Sequence, residues 1–189
     1  MTTLSQSDAQ FLADHSRHDP DFFWQSILGC TSVYNKQLEM ARAVRDHNRV
    51  AVVGANGTGK DWQSARVMLW WMATRSPAIC VVLGPTHRQV SDIVWKEARS
   101  AYLTARMPLG GQMYRTARWE YDDRRYAVGF STDNEYNIQG FHSPNLLVIL
   151  TEAHNIEQSH IDAVKRLNPA RMLLTGNAFA SSGEFYDAF

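Results

Sequence analysis

The stretch Val50-Ala51-Val52-Val53-Gly54-Ala55-Asn56-Gly57-Thr58-Gly59-Lys60 constrains the fold of this 189-residue chain more than any other. A short, largely β-branched run that breaks into glycines reads as a buried strand feeding a tight loop. From Lys60 to about residue 74 apolar residues recur at Trp62, Ala65, Leu69 and Met72. Those spacings of three and four predict a helix with one face against a sheet, a face widened by Trp70 and Trp71. Gly54, Ala55, Asn56, Gly57, Thr58, Gly59 and Lys60 fill the first seven positions of G-x-x-x-x-G-K-[ST], with a strand before and a helix after. Glycines let consecutive backbone N–H groups turn inward, the helix start adds the positive end of its dipole, and Lys60 adds a mobile charge. Together they predict a cradle for phosphate. A glycine-rich turn with no ligand is the plain alternative, and the fixed Gly, Gly and Lys positions in that context weigh against it.

The eighth position departs from the motif: Asp61 stands where a Ser or Thr hydroxyl ordinarily helps to hold Mg²⁺. The acidic residue expected at the end of a later apolar strand is also displaced, because Val148-Ile149-Leu150 runs into Thr151-Glu152. The two types look exchanged. If Asp61 and Thr151 face each other, one carboxylate and one hydroxyl still surround a hard cation, so Asp61 is expected to ligate Mg²⁺ and Thr151 to bond Asp61 or a metal-bound water. The alternative is impaired metal binding, since a carboxylate beside a triphosphate is repulsive without the ion. Glu152 is the candidate general base or water-positioning group against a γ-phosphate, although charged strand ends are often merely solvated. His154 is read as supporting that site, as facing DNA, or as a structural histidine.

The remaining pattern is β-α-β-α. Ser7 is a candidate cap for a helix beginning near Asp8, and residues 35–45 suggest a second helix. Residues 79–83 read as a buried strand, followed by helical spacing at Val90, Ile93, Val94 and Ala101. After a breaker-rich loop, Trp119-Glu120-Tyr121 and Tyr126-Ala127-Val128 flank Asp122-Asp123, which suggests an antiparallel hairpin. Residues 146–150 and 172–174 read as further buried strands. The expectation is an α/β fold with a mainly parallel central sheet, helices on both faces and a small hairpin addition, its working loops at the strands' carboxyl ends. Residues 1–48 form a helical lead-in and 49–189 the core.

Nineteen basic residues balance nineteen acidic ones, so no global charge points to a nucleic-acid partner, and any DNA contact must be local. Cys30 and Cys80 show no metal spacing and fit a reduced setting. The apolar run 67–73 is too short to span a bilayer, and the N-terminus lacks signal-peptide features; a soluble intracellular protein without membrane contact is expected.

The order of these pieces, from about residue 19 to 189, resembles the ATPase domain of phage large terminase subunits, a P-loop NTPase fold of the ASCE type. Gln37, in an aromatic-rich segment, resembles the family's adenine-recognising glutamine. The stretch from Val81 to Val90, with Gly84-Pro85-Thr86-His87-Arg88-Gln89, resembles the strand and loop after the first helix. Ile138-Gln139-Gly140 resembles the approach to the acidic strand, and Thr175-Gly176-Asn177 the coupling motif that senses the γ-phosphate. The resemblance implies ATP and Mg²⁺ as cofactors, catalytic roles for Lys60, Glu152 and Asn177, and translocation of double-stranded DNA into a procapsid. It further implies a ring, of five subunits, on the portal protein, cooperation with the small terminase subunit, and a location in the host cytoplasm and transiently at the portal, outside the finished virion. A nuclease domain would follow the coupling motif; it is not expected within these residues. An arginine acting on the γ-phosphate, from within the subunit or from a ring neighbour, is also implied, and among Arg115, Arg118, Arg124 and Arg125 the candidates are Arg118 and Arg124, with a solvated surface charge the plain alternative for each. His87 and Arg88, with Lys96 and Arg99 beyond them, are the candidate DNA-facing residues. Two rivals remain: a helicase-like ATPase, which ordinarily carries a second ATPase-like domain, and a nucleotide-binding assembly module with little turnover.

Overall fold

The computed structural model describes residues 6–132, 138, 140–179 and 182–189. Among the described residues seven strands form one sheet in the order β1-β7-β6-β2-β5-β4-β3. The strands are β1 (Arg49–Val53), β2 (Ala78–Gly84), β3 (Gln112–Met113), β4 (Arg118–Asp122), β5 (Arg125–Ser131), β6 (Leu146–Leu150) and β7 (Arg171–Gly176). The five from β1 to β5 in that order run parallel, and β4 and β3 are added antiparallel at the far edge. The expected parallel sheet with a hairpin addition is what the chain forms.

Alternation along the strands builds a core on each face. Ile79, Val81 and Leu83 of β2 and Leu146, Val148 and Leu150 of β6 pack on one side, with Ile161 and Val164 of helix α6 (Gln158–Arg166). Cys80, Val82, Leu147 and Ile149 point to the other, against the phosphate-loop helix α4 (Lys60–Thr74) and α5 (Trp95–Thr104). Helix α4 is buried nearly all round, because helices α1 (Gln6–His18) and α3 (Asn35–Asp46), with the short α2 (Pro20–Phe22) between them in sequence, form a further layer over it. Trp70 Nε1 donates to Ser16 O at 2.7 Å, tying this lead-in to the core. Burial raises the Cys80 thiol above its ordinary range; both cysteines are free.

Several boundaries differ from expectation. Helix α1 already includes Gln6, so Ser7 and Asp8 lie inside it, and Ser7 does not cap a helix starting near Asp8. Strand β7 continues through Thr175 and Gly176, because both pair with β1, at Val52 and Val53. The stretch after β2 is interrupted: residues Gln89–Val94 form a π-helical turn before α5. Helix α6, with Ile161 and Val164 buried, was not anticipated; it is a short amphipathic segment behind the conspicuous acidic strand. No described helix is long and apolar enough to cross a membrane.

Candidate functional site: the phosphate loop and the strand ends beside it

Strand β1 delivers the loop to the carboxyl edge of the sheet. Gly57 and Gly59 take φ of 77° and 82°, the left-handed region that glycine enters without a Cβ clash, and Gly59 precedes α4. Gly54 N donates to Gly176 O at 3.0 Å, so the loop and the end of β7 leave the sheet side by side. Lys60 is only 7% exposed. Its Nζ donates to Gly54 O at 2.8 Å, Ala55 O at 2.9 Å and Asn177 Oδ1 at 2.8 Å. Asn177 in turn donates from Nδ2 to Asn56 Oδ1 at 2.9 Å, so one amide bridges a loop side chain and the lysine. Thr58 Oγ1 donates to Ala55 O and steadies the loop from within.

The exchanged pair meets. Thr151, 1% exposed and held by its N–H to Leu83 O, donates from Oγ1 to Asp61 Oδ1 at 2.7 Å. Gln89 Nε2 reaches the same carboxylate oxygen at 3.1 Å and Thr151 Oγ1 at 3.4 Å. Glu152 follows with φ 51° and ψ 43°, a left-handed conformation rare for a residue with a side chain and of the kind found where a site over-determines the backbone. Its Oε2 lies 3.4 Å from His154 Nδ1, and the same nitrogen accepts from Asn177 N–H at 3.2 Å. His154 thus joins the end of β6 to the segment that leaves β7.

On the other side of the loop, a cavity of about 750 Å³ is lined by Tyr34, Gln37, Val53, Gly57, Thr58 and Lys60, among others. That volume is ordinary for a small-ligand site. Gln37 Oε1 accepts from Tyr34 N–H at 3.1 Å, and a Cβ built on Gly59 would come within 3.1 Å of Gln37 Nε2, so this amide abuts the loop glycine. Tyr34 stands 75% exposed at the cavity.

The residues present suit a magnesium ion. Among the described residues no three acidic, His or Cys side chains form a cage. Mg²⁺ ordinarily takes one or two carboxylates, waters and substrate phosphates, and the Asp61 carboxylate with the Thr151 hydroxyl beside the phosphate loop is such a donor set.

Other predicted residues lie elsewhere. Arg118, at the start of β4, donates to Glu120 at 2.9 Å and lies over Tyr126. Four strands separate β4 from β1, about 24 Å at ordinary strand spacing, so Arg118 does not reach its own chain's phosphate loop. Arg124 sits in the turn between β4 and β5, at the amino end of β2 and thus at the end of the sheet remote from that loop. Arg125 is committed to Met72 O and Ala73 O, and Arg115 offers its carbonyl to Arg99. Arg99 also donates to Tyr114 O, so its guanidinium is held by two backbone carbonyls, while Lys96 is exposed on the same helix. His87 and Arg88 are exposed just beyond β2, on the carboxyl edge that also carries the phosphate loop. Gln139 lies outside the described residues; Ile138 is buried and Gly140 exposed. Gln89 and Tyr34 were missed as site residues: neither stands in a motif of its own, and only their neighbours across the fold reveal them.

No protein-family model matches the sequence, and no curated protein matches it. Solved structures do. The chain superimposes on the large terminase ATPase domain of Thermus phage P74-26 with a TM-score of 0.65 at 18% identity, covering 89% of this chain and 72% of that one. The chain has the fold of a phage large terminase ATPase domain. The HK97 bacteriophage large terminase matches with a TM-score of 0.66 at 14% identity over 91% of this chain, which spans 40% of the HK97 chain. A large terminase from a thermophilic bacteriophage, solved in complex with ADP, matches with a TM-score of 0.58 at 16% identity, covering 77% of this chain and 38% of that one. In the terminase ATPase fold seen here, the ends of β1, β6 and β7 supply the polar residues and the β4–β5 hairpin stands apart from them.

Proposed function

We propose that this chain is the Mg²⁺-dependent ATPase motor of a large terminase that drives double-stranded viral DNA into a procapsid. The observation that carries this reading is the convergence of Lys60, Asp61, Thr151, Glu152 and Asn177 beside the phosphate loop, on a terminase ATPase fold. Gln37, with Tyr34, recognises the base in the adjoining cavity. Lys60 exchanges the carbonyls of Gly54 and Ala55 for β- and γ-phosphate oxygens. Asp61 and Thr151 would hold the ion, which when bound would supply neutralising positive charge beside the phosphates. Glu152 orients the attacking water and accepts its proton, and its fixed backbone aims the carboxylate. Asn177 loses Lys60 when γ-phosphate is bound and regains it on release, and that exchange moves the segment after β7. An arginine from a ring neighbour completes the site, since neither Arg118 nor Arg124 reaches it within the chain. His87 and Arg88 face the DNA. Portal protein, small terminase subunit and a five-membered ring in the host cytoplasm complete the picture, and residues 1–48 serve as lead-in to the motor core.

ATP hydrolysis at rising protein concentration, with and without Mg²⁺ and beside Glu152→Ala, tests this. Turnover that needs Mg²⁺ and Glu152 and climbs more than linearly with concentration is expected. Nucleotide binding with equal, negligible rates in both proteins overturns it in favour of a nucleotide-binding assembly module, in which Asp61 at the eighth loop position disables turnover.

A further inference from the structure

Gln89 is the one side chain at the ion site that comes from the loop after β2, and that loop also carries His87 and Arg88. Its amide Nε2 donates to Asp61 Oδ1 at 3.1 Å and lies 3.4 Å from Thr151 Oγ1. At the backbone Gln89 closes a compact turn: Gln89 N–H donates to Thr86 Oγ1 at 3.2 Å, Val90 N–H to Thr86 O at 3.3 Å, and Ser91 Oγ lies 3.1 Å from His87 Nε2. His87 and Arg88 are the exposed tip of this turn. Behind it, Gly84 permits close approach, since a Cβ there would lie 2.9 Å from Val90 Cγ2 and 3.1 Å from Thr151 Cγ2. The turn leads into the π-helical residues Gln89–Val94, a wider winding that is rare and recurs at functional sites. Thus a stiff turn with a charged tip is fastened to the ion-site carboxylate by one side-chain amide.

We infer that Gln89 is a positioning residue that reports the ion state of the nucleotide site to the His87–Arg88 tip. The inference rests on the reading of Asp61 and Thr151 as ion ligands. Without the ion, the amide N–H points at a carboxylate and holds the tip down. A divalent cation on Asp61 competes for the same oxygen and repels the positive end of the amide, so the fastening loosens when Mg²⁺-nucleotide binds. The loop that faces DNA therefore gains freedom in step with nucleotide binding, separately from the exchange at Asn177.

Hydrogen exchange of the peptide spanning residues 84–91, followed by mass spectrometry, reads the tip without any turnover. Calorimetric titration with Mg²⁺ and a non-hydrolysable ATP analogue is run first on each protein. In the parent, Mg²⁺ with the analogue is expected to speed exchange of this peptide about fivefold over the analogue alone. In Gln89→Leu exchange is fast from the start and insensitive to Mg²⁺, while the analogue still binds. In Gln89→Glu the sign reverses: two carboxylates repel without the ion and share it when present, so Mg²⁺ slows exchange. Equal exchange in the parent with and without Mg²⁺, or an unaltered Mg²⁺ response in Gln89→Leu, overturns the inference although binding is intact. A parent whose analogue binding is indifferent to Mg²⁺ overturns the ion-site reading itself, and the Gln89 role falls with it.

Discussion

The Thr151 hydroxyl donates to Asp61 Oδ1 at 2.7 Å, joining the end of β6 to the first turn of α4. The carboxylate of this pair sits on the helix and the hydroxyl on the strand, the reverse of the arrangement that G-x-x-x-x-G-K-[ST] describes. Since an ion between them meets one charge and one neutral oxygen either way, the exchange is predicted to be reversible by mutation.

Asp61→Thr alone leaves two hydroxyls and no carboxylate, and is expected to lower Mg²⁺-dependent turnover by about 10²-fold, with the Mg²⁺ requirement shifted to higher concentration. The double variant Asp61→Thr with Thr151→Asp is expected to recover most of that loss. A Mg²⁺ titration of ATPase rate decides it, and a double variant no better than the single one refutes the exchange.

Glu152 separates catalysis from stability because its backbone is left-handed. Glu152→Gln is expected to reduce kcat by about 10²–10⁴-fold with nucleotide affinity little changed. Glu152→Gly loses the same activity yet relieves the backbone, and is expected to unfold at higher temperature, with a gain of about 1 kcal/mol. Calorimetric unfolding of both variants checks the contrast; a Gly variant less stable than the Gln variant contradicts it.

Gly176 ends β7 against two neighbours: a Cβ there would lie 2.9 Å from the Phe185 ring and 3.0 Å from His154 Nδ1. Gly176→Ala is therefore expected to destabilise the chain by about 1–3 kcal/mol and to push His154 from Asn177 N–H. Thermal unfolding measures the first effect. For the second, the His154 ring nitrogen resonances should move, and unchanged chemical shifts there speak against it.

Arg118 stands too far along the sheet to serve its own phosphate loop, which makes a neighbour's site the natural target. Arg118→Ala and Glu152→Gln are each expected to be inactive. Mixed in equal amounts they should recover about a quarter of the parent rate, because random assembly pairs an intact site with an intact arginine at that frequency. A mixture as silent as its components rules out Arg118 as the shared residue.

The phosphate loop, the strands on either side of the switch from β6 to Thr151-Glu152, and the hairpin at Asp122-Asp123 were all legible in sequence. They rest on local rules: alternation or continuous apolar runs make strands, spacings of three and four make helices, and glycines mark where φ turns positive. Asp61 and Thr151 were recognisable as an exchanged pair because each broke a motif at a known offset. What only the tertiary structure decided is which strand ends become neighbours. The order β1-β7-β6-β2 brings Asn177 to Lys60 across 117 positions of chain, seats Gln89 on Asp61, and carries Arg118 to the far side of the sheet. Strand order follows from packing two faces at once against α4 and α6, a balance among distant residues that leaves no periodic signature, so no stretch of sequence states it.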